Sequence, residues 1–176
     1  MPVTRLNHAV LYVRDLRRSV DFYSSVLGFR VVADMAELPG AAFLQASGST
    51  NDHDLGLFEI GAAAGASGAG RSTVGLYHLA WEVDTLTELQ AVEQRLRDAG
   101  ALVGASDHAT TKALYGADPD GIEFEVSWLV PAHLITDDVR AGRTKIRPLD
   151  IAREIDRYGA QTRGGVGVSH AAAVSG

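Results

Sequence analysis

Two stretches of this chain open alike, and 70 residues separate their matching histidines, His8 and His78. The first reads Asn7-His8-Ala9-Val10-Leu11-Tyr12-Val13-Arg14-Asp15 and the second Tyr77-His78-Leu79-Ala80-Trp81-Glu82-Val83-Asp84. Each is a β-rich run with a His near its start and an Asp just past its end, where a carboxylate can accept from the free N–H groups of a helix's first turn. After Asp15 the apolar residues Leu16, Val20, Tyr23 and Leu27 recur with helical period, and Gly28 supplies a stop. After Asp84 the stripe is Leu86, Leu89, Val92, Leu96 and Ala99, ending at Gly100, and Thr85 with Glu88 can form a capping box. A repeat of this length is too long for a solenoid unit and fits a duplicated β-α-β unit with further strands.

The remaining strands follow from short β-rich runs. They are Phe29 to Met35, Ala41 to Ala46 and Asp54 to Ile60 in the first half. In the second half they are Ala101 to Val103, Lys112 to Ala117 and Gly121 to Leu129, the last two joined by the turn Asp118-Pro119-Asp120-Gly121. The fold class is therefore α+β: two tandem βαβββ modules, about 4–60 and 74–129, whose strands form a mixed sheet. Their Gly/Ala-rich linker, 61–71, has the composition of a flexible joint, and together they make a domain over 1–130. A C-terminal extension, 131–176, carries one short amphipathic helix at about 148–158, with Ile151, Ile155 and Tyr158 on its stripe. That helix is expected to cover the body or a partner subunit. The Gly/Ala/Ser-rich end from Gln161 is expected to be disordered.

Charge and cysteine content narrow the function. Sixteen Lys and Arg against 22 Asp and Glu give a net charge of −6, with no basic run longer than Arg17-Arg18, which excludes a nucleic-acid role. Cysteine is absent, so disulfides, thiolate metal sites and a Cys nucleophile are excluded, and a reducing, cytoplasmic setting fits. No signal-peptide pattern or membrane span is expected.

Among the six histidines, His8 and His78 hold equivalent places in the two repeats. A pseudo-twofold arrangement would bring their strands together with both imidazoles facing one cavity. In the last strand Glu123, Glu125 and Ser127 share one face and Ile122, Phe124 and Val126 the other. Glu125 can then join the two imidazoles. Two imidazoles and one carboxylate leave coordination positions open, as non-haem Fe(II) requires, and Mn, Ni or Zn can occupy similar ligands.

This duplicated pattern, with His8, His78 and Glu125 so placed, resembles the vicinal oxygen chelate superfamily, which includes glyoxalase I, antibiotic-resistance proteins, epimerases and type I extradiol dioxygenases. The resemblance covers about residues 4 to 129. A narrower resemblance to the extradiol dioxygenases lies in His108, five residues, Leu114-Tyr115, then Gly116-Ala117, the Asp118-Pro119-Asp120-Gly121 turn and Glu125. Ser106 departs from the residues usual two places before that His. Asn51-Asp52-His53-Asp54-Leu55-Gly56-Leu57 is similar to the family strand bearing a catalytic His. The resemblance implies a ring-cleaving dioxygenase in which His8, His78 and Glu125 hold Fe(II), or Mn(II) or another divalent metal. It implies that His53, His108 and Tyr115 serve a catecholic substrate and O2.

Glu59 points another way, since it lies near the place where glyoxalase I supplies a fourth ligand, and it shares strand parity with His53. A four-ligand set would imply a glyoxalase- or epimerase-like lyase or isomerase. A non-catalytic, resistance-type binding protein is the third alternative. Extradiol enzymes resemble two copies of this chain, and the missing copy together with the tail stripe leads to an expected homodimer.

Overall fold

A computed structural model describes residues 2–3, 5–33, 38–68 and 72–165. The expected strand residues Asp34 and Met35, linker residues 69–71 and the tail from 166 onward lie outside the described residues. The chain divides into two units, one of residues 1–73 with 118–122, the other of 74–117 with 123–176.

The first unit carries β1 (Ala9–Val13), α1 (Leu16–Leu27), β2 (Arg30–Val31), β3 (Ala41–Gln45) and β4 (Leu55–Glu59). Its sheet runs in the order β1-β4-β3-β2, with β1 parallel to β4 and the other pairs antiparallel. Asp15 caps α1 by accepting from Arg18 N at 2.9 Å, and Gly28 closes it at φ 77°, a left-handed conformation that suits a residue without Cβ. The buried stripe of α1 is Ser19, Tyr23 and Val26, rotated from the expected Leu16, Val20, Tyr23 and Leu27. It faces a core that includes Leu11, Val13, Leu44, Leu55 and Leu57. Tyr23 also donates to Asp118 Oδ2 at 3.1 Å, and burial pushes both its hydroxyl and the Asp118 carboxyl above their ordinary values.

The second unit repeats the plan and adds to it. Its elements are β5 (Leu79–Glu82), α2 (Leu86–Asp98), β6 (Leu102–Asp107), β7 (Thr111–Ala117), β8 (Glu123–Leu129), α3 (Asp137–Ala141), β9 (Arg147–Pro148) and α4 (Ile151–Tyr158). The sheet order is β5-β8-β7-β6-β9. Phe124, Val126 and Trp128 are buried on one face of β8 in a core with Leu86, Leu89 and Leu96. Gly116 is required here, because a Cβ at this position would meet the Phe124 ring at 2.5 Å.

Several expectations are corrected. The cap of α2 is Thr85, whose Oγ1 accepts from Glu88 N at 3.2 Å, and not Asp84, whose N–H donates to Glu88 Oε2. Strand β6 extends to Asp107 instead of stopping at Val103, because β9 and β7 pair with its far end. The tail stripe is taken up within its own unit: Ile151 is buried and the Tyr158 ring packs 5.5 Å from Trp128. It therefore gives no support to a dimer contact. Residues 161–165, expected to be disordered, are held by Gly164 N donating to Asp84 O, Gly165 N to Leu129 O and Trp128 Nε1 to Thr162 O.

Candidate active site

Four of the six expected site residues fall in the second unit, on one face of its sheet. Register pairs Tyr115 with Glu125 and Glu125 with Ala80, so the side chains of all three project the same way. His78 stands one residue ahead of β5, and its contact with Glu125 puts its ring on the same face. Its Nε2 lies 3.3 Å from Glu125 Oε2, and its buried Nδ1 has no hydrogen-bond partner. On β6, Ser106 has the same orientation. Its Oγ is 2.8 Å from His108 Nε2 and donates to Tyr115 Oη at 3.4 Å, while His108 Nε2 is 3.1 Å from that hydroxyl. The Tyr115 ring stands edge-on to His78, centroids 6.0 Å apart.

A polar row thus runs from Ser106 and His108 through Tyr115 to His78 and Glu125. Burial raises the Tyr115 pKa above its ordinary 10.0, the Glu125 and Tyr77 charges add to that, and the bond from Ser106 opposes it. At neutral pH Tyr115 is a phenol and a hydrogen-bond donor.

The other two expected residues fall in the first unit. His8 and His53 rest against each other with ring centroids 4.6 Å apart, and Phe43 stands edge-on to His53 at 5.0 Å. His8 Nδ1 lies 2.8 Å from Asn7 Oδ1, an atom that only accepts, so Nδ1 is the donor and Nε2 is the ring nitrogen left for another partner. His53 Nδ1 sits 3.1 Å from Asp52 Oδ2, so there too Nδ1 is the donor. Sequence reasoning passed over Asn7, Asp52 and the ring of Tyr77, which packs on His78 at 4.6 Å. The signal for the first two was present: an Asn or Asp stands directly before His8 and before His53.

Of the two placements open to Glu59, facing the cavity or exposed at the strand end, the structure has the second. Glu59 Oε2 accepts from Leu16 N at 2.8 Å, so the carboxylate serves the start of α1. His53 lies ahead of β4, which begins at Leu55, and the strand's alternation does not reach it. Its ring packs on Phe43, which pairs with Gly56 on the face of β4 opposite Leu57 and Glu59.

Among the described residues no three His, Asp or Glu side chains gather into a metal-holding group. The pair His78 and Glu125 nevertheless fits a cation. Two ligand atoms each about 2.1 Å from a metal and at right angles lie about 3 Å apart, close to the 3.3 Å observed. A separate cleft of about 210 Å³ in the first unit, lined by Tyr12, Arg14, Ile60 and Asp120 among others, contains none of the six residues.

Comparison with known proteins matches residues 5–126 to the model of the Glyoxalase/Bleomycin resistance protein/Dioxygenase superfamily. The chain belongs to this superfamily. A catechol-2,3-dioxygenase of Bacillus subtilis is 36% identical over 70% of this chain, which spans only 41% of that enzyme's length. A lactoylglutathione lyase of Neisseria meningitidis is 30% identical over 69% of this chain and 88% of its own. The solved glyoxylase/bleomycin resistance protein/dioxygenase domain from Frankia has a TM-score of 0.59 and 25% identity, covering 72% of this chain and 92% of that one. The superfamily thus joins this chain to relatives named for two different chemistries. Among the described residues no helix is long and apolar enough to cross a membrane.

Proposed function

We propose that the chain is an extradiol-type ring-cleaving dioxygenase that acts on a catecholic aromatic with Fe(II) and O2. The observation that carries this reading is the Ser106–His108–Tyr115 network lying on the same sheet face as the His78–Glu125 pair. His8, His78 and Glu125 would hold the iron, or Mn(II) in its place. The bound metal would supply a Lewis-acidic centre at which a vicinal diol and O2 can meet, which removes much of the entropic cost of their encounter. Tyr115, kept as a phenol, donates to a substrate oxygen, and His108 orients its hydroxyl. His53, held by Asp52, presents Nε2 as the atom that takes or returns a proton. The relative named as a catechol dioxygenase supports the substrate class. We place the protein in the cytoplasm as a homodimer.

A second reading, a glyoxalase- or epimerase-like enzyme, is favoured by the lyase relative, of which the chain spans 88%. It needs Glu59 as a ligand or base, and Glu59 is engaged by Leu16 N. The experiment is anaerobic loading with Fe(II) followed by a panel of catechols in air, with oxygen uptake and the yellow ring-opened product followed together. Iron-dependent uptake that is lost in His8→Ala supports the dioxygenase. Iron bound without uptake on any catechol favours the isomerase, and no metal bound at all leaves a ligand-binding protein.

A further inference from the structure

The superfamily match ends at residue 126, yet the tail beyond it touches the β6–β7 hairpin at three separate places. Strand β9 pairs with the end of β6, Pro148 opposite Ser106 and Arg147 opposite Asp107. Gly142, which closes α3, lies so near the hairpin turn that a Cβ there would stand 2.9 Å from the Ala109 methyl. Helix α4 delivers Glu154, whose Oε2 lies 2.9 Å from Lys112 Nζ.

Lys112 is wholly buried, an unusual place for an ammonium group. It sits opposite Asp107 across the hairpin, Nζ 2.5 Å from Oδ1, with the Tyr158 ring 5.6 Å away. The same Asp107 Oδ1 accepts from Ala109 N at 2.8 Å. Ala109 holds φ 66°, a left-handed conformation that is costly for a residue with a Cβ and needs support from its surroundings. The turn it makes is the one that sets His108 beside Ser106 and Tyr115. Arg153 completes the cluster, Nε 3.2 Å from Glu154 Oε1, so two cations face two carboxylates.

We propose that the tail clamps the β6–β7 hairpin, with Glu154, Lys112 and Asp107 acting as positioning residues that hold the Ala109 turn and thereby aim His108. Only the catalytic meaning of His108 rests on the dioxygenase reading; the clamp itself does not. The ion-pair side chains lie on the hairpin face opposite Ser106 and Tyr115, so they act through the backbone of the turn and do not touch a reactant.

The test uses the full isotope-labelled chain, free of metal and substrate, read by NMR. In Glu154→Gln the imidazole nitrogen resonances of His108 move and exchange protection of the Ala109 amide falls about tenfold or more. Amides of Leu11 and Leu57 in the first unit keep their protection. A folded Glu154→Gln protein with His108 and Ala109 unchanged overturns the proposal, as does an even loss of protection across β6, β7 and β8. If Glu154→Gln does not fold, Gly142→Ala decides by the same signals: moved resonances support the clamp and unchanged ones overturn it. In the iron-loaded enzyme, kcat falls about tenfold in the variant with KM and iron content unmoved. A parent without catechol turnover counts against the dioxygenase and leaves the NMR result standing.

Discussion

Replacing Lys112 with Met tests the energetics of the second unit most sharply. The substitution keeps most of the apolar stem but removes the ammonium that faces Asp107 at 2.5 Å and Glu154 at 2.9 Å. The side chains left behind are only 4% and 1% exposed, so two carboxylates stay buried with the half-exposed Arg153 as their nearest charge. Removing one partner of such a cluster costs about 3 to 5 kcal/mol. With a urea m-value of about 2 kcal/mol/M, that lowers the midpoint by roughly 1.5 to 2.5 M. The pH dependence also changes. In the parent, burial alone would raise the Asp107 pKa, but the bonds from Lys112 and Ala109 N and the Lys112 and Arg147 charges bring it below its ordinary 3.8. Its contribution to stability is then present above pH 3.8 and lost as pH falls through the lowered folded value. In Lys112→Met the bond and charge of Lys112 no longer hold that pKa down, so the folded value moves up and the stability that Asp107 contributes above pH 3.8 shrinks. The assay is urea unfolding between pH 4 and 7 followed by tryptophan emission, which reports the second unit because Trp81 and Trp128 both lie there. The variant's deficit should shrink toward pH 4. A midpoint shift below about 0.5 M, or parallel pH profiles for the two proteins, would refute the account of Lys112 as the neutralising charge.

Three further outcomes are expected. Gly116→Ala drives a methyl into the Phe124 ring and destabilises the second unit by about 1 to 3 kcal/mol, seen as a lower thermal midpoint in tryptophan emission. Tyr115→Phe removes the hydroxyl held 3.1 Å from His108 and lowers kcat about a hundredfold on a catechol that the parent turns over, with iron content by elemental analysis unchanged. Glu125→Gln weakens Fe(II) binding by more than the roughly 10- to 100-fold that loss of a supporting residue costs, as measured by anaerobic titration, while the melting profile stays within about 0.5 kcal/mol of the parent.

The repeat, the α1 cap at Asp15 and its Gly28 stop, the Asp118 turn and the alternation that separates Glu125 from Phe124 were all legible in the sequence. Each depends on local chemistry or on a period of two or 3.6. What escaped depends on partners distant in sequence. Lys112 reads as an ordinary strand residue until the tail brings Glu154 to it. Glu59 shares nominal parity with His53, but the strand begins only at Leu55. Thr85 and Asp84 are both good caps, and the choice between them turned on Glu88 Oε2 and the Asp84 N–H. The two-residue strand β9 and the five-residue helix α3 are too short to leave a periodic trace. At the site, His78, His108, Tyr115 and Glu125 share one face of the second unit's sheet, an arrangement that strand alternation and the hairpin make readable, whereas Asn7 and Asp52 were hidden because their role is to orient a neighbour.

The β6–β7 hairpin keeps its charged lock and its site row on opposite faces, Asp107 and Lys112 on one, Ser106 and Tyr115 on the other. Strand alternation therefore separates two kinds of change. Substitutions at Ser106 or Tyr115 can retune what the face accepts without disturbing the buried ion pair, and Ser106 is itself the position that departs from the pattern usual in the extradiol enzymes. A lineage could explore new substrates on one face of this hairpin while inheriting the other face intact.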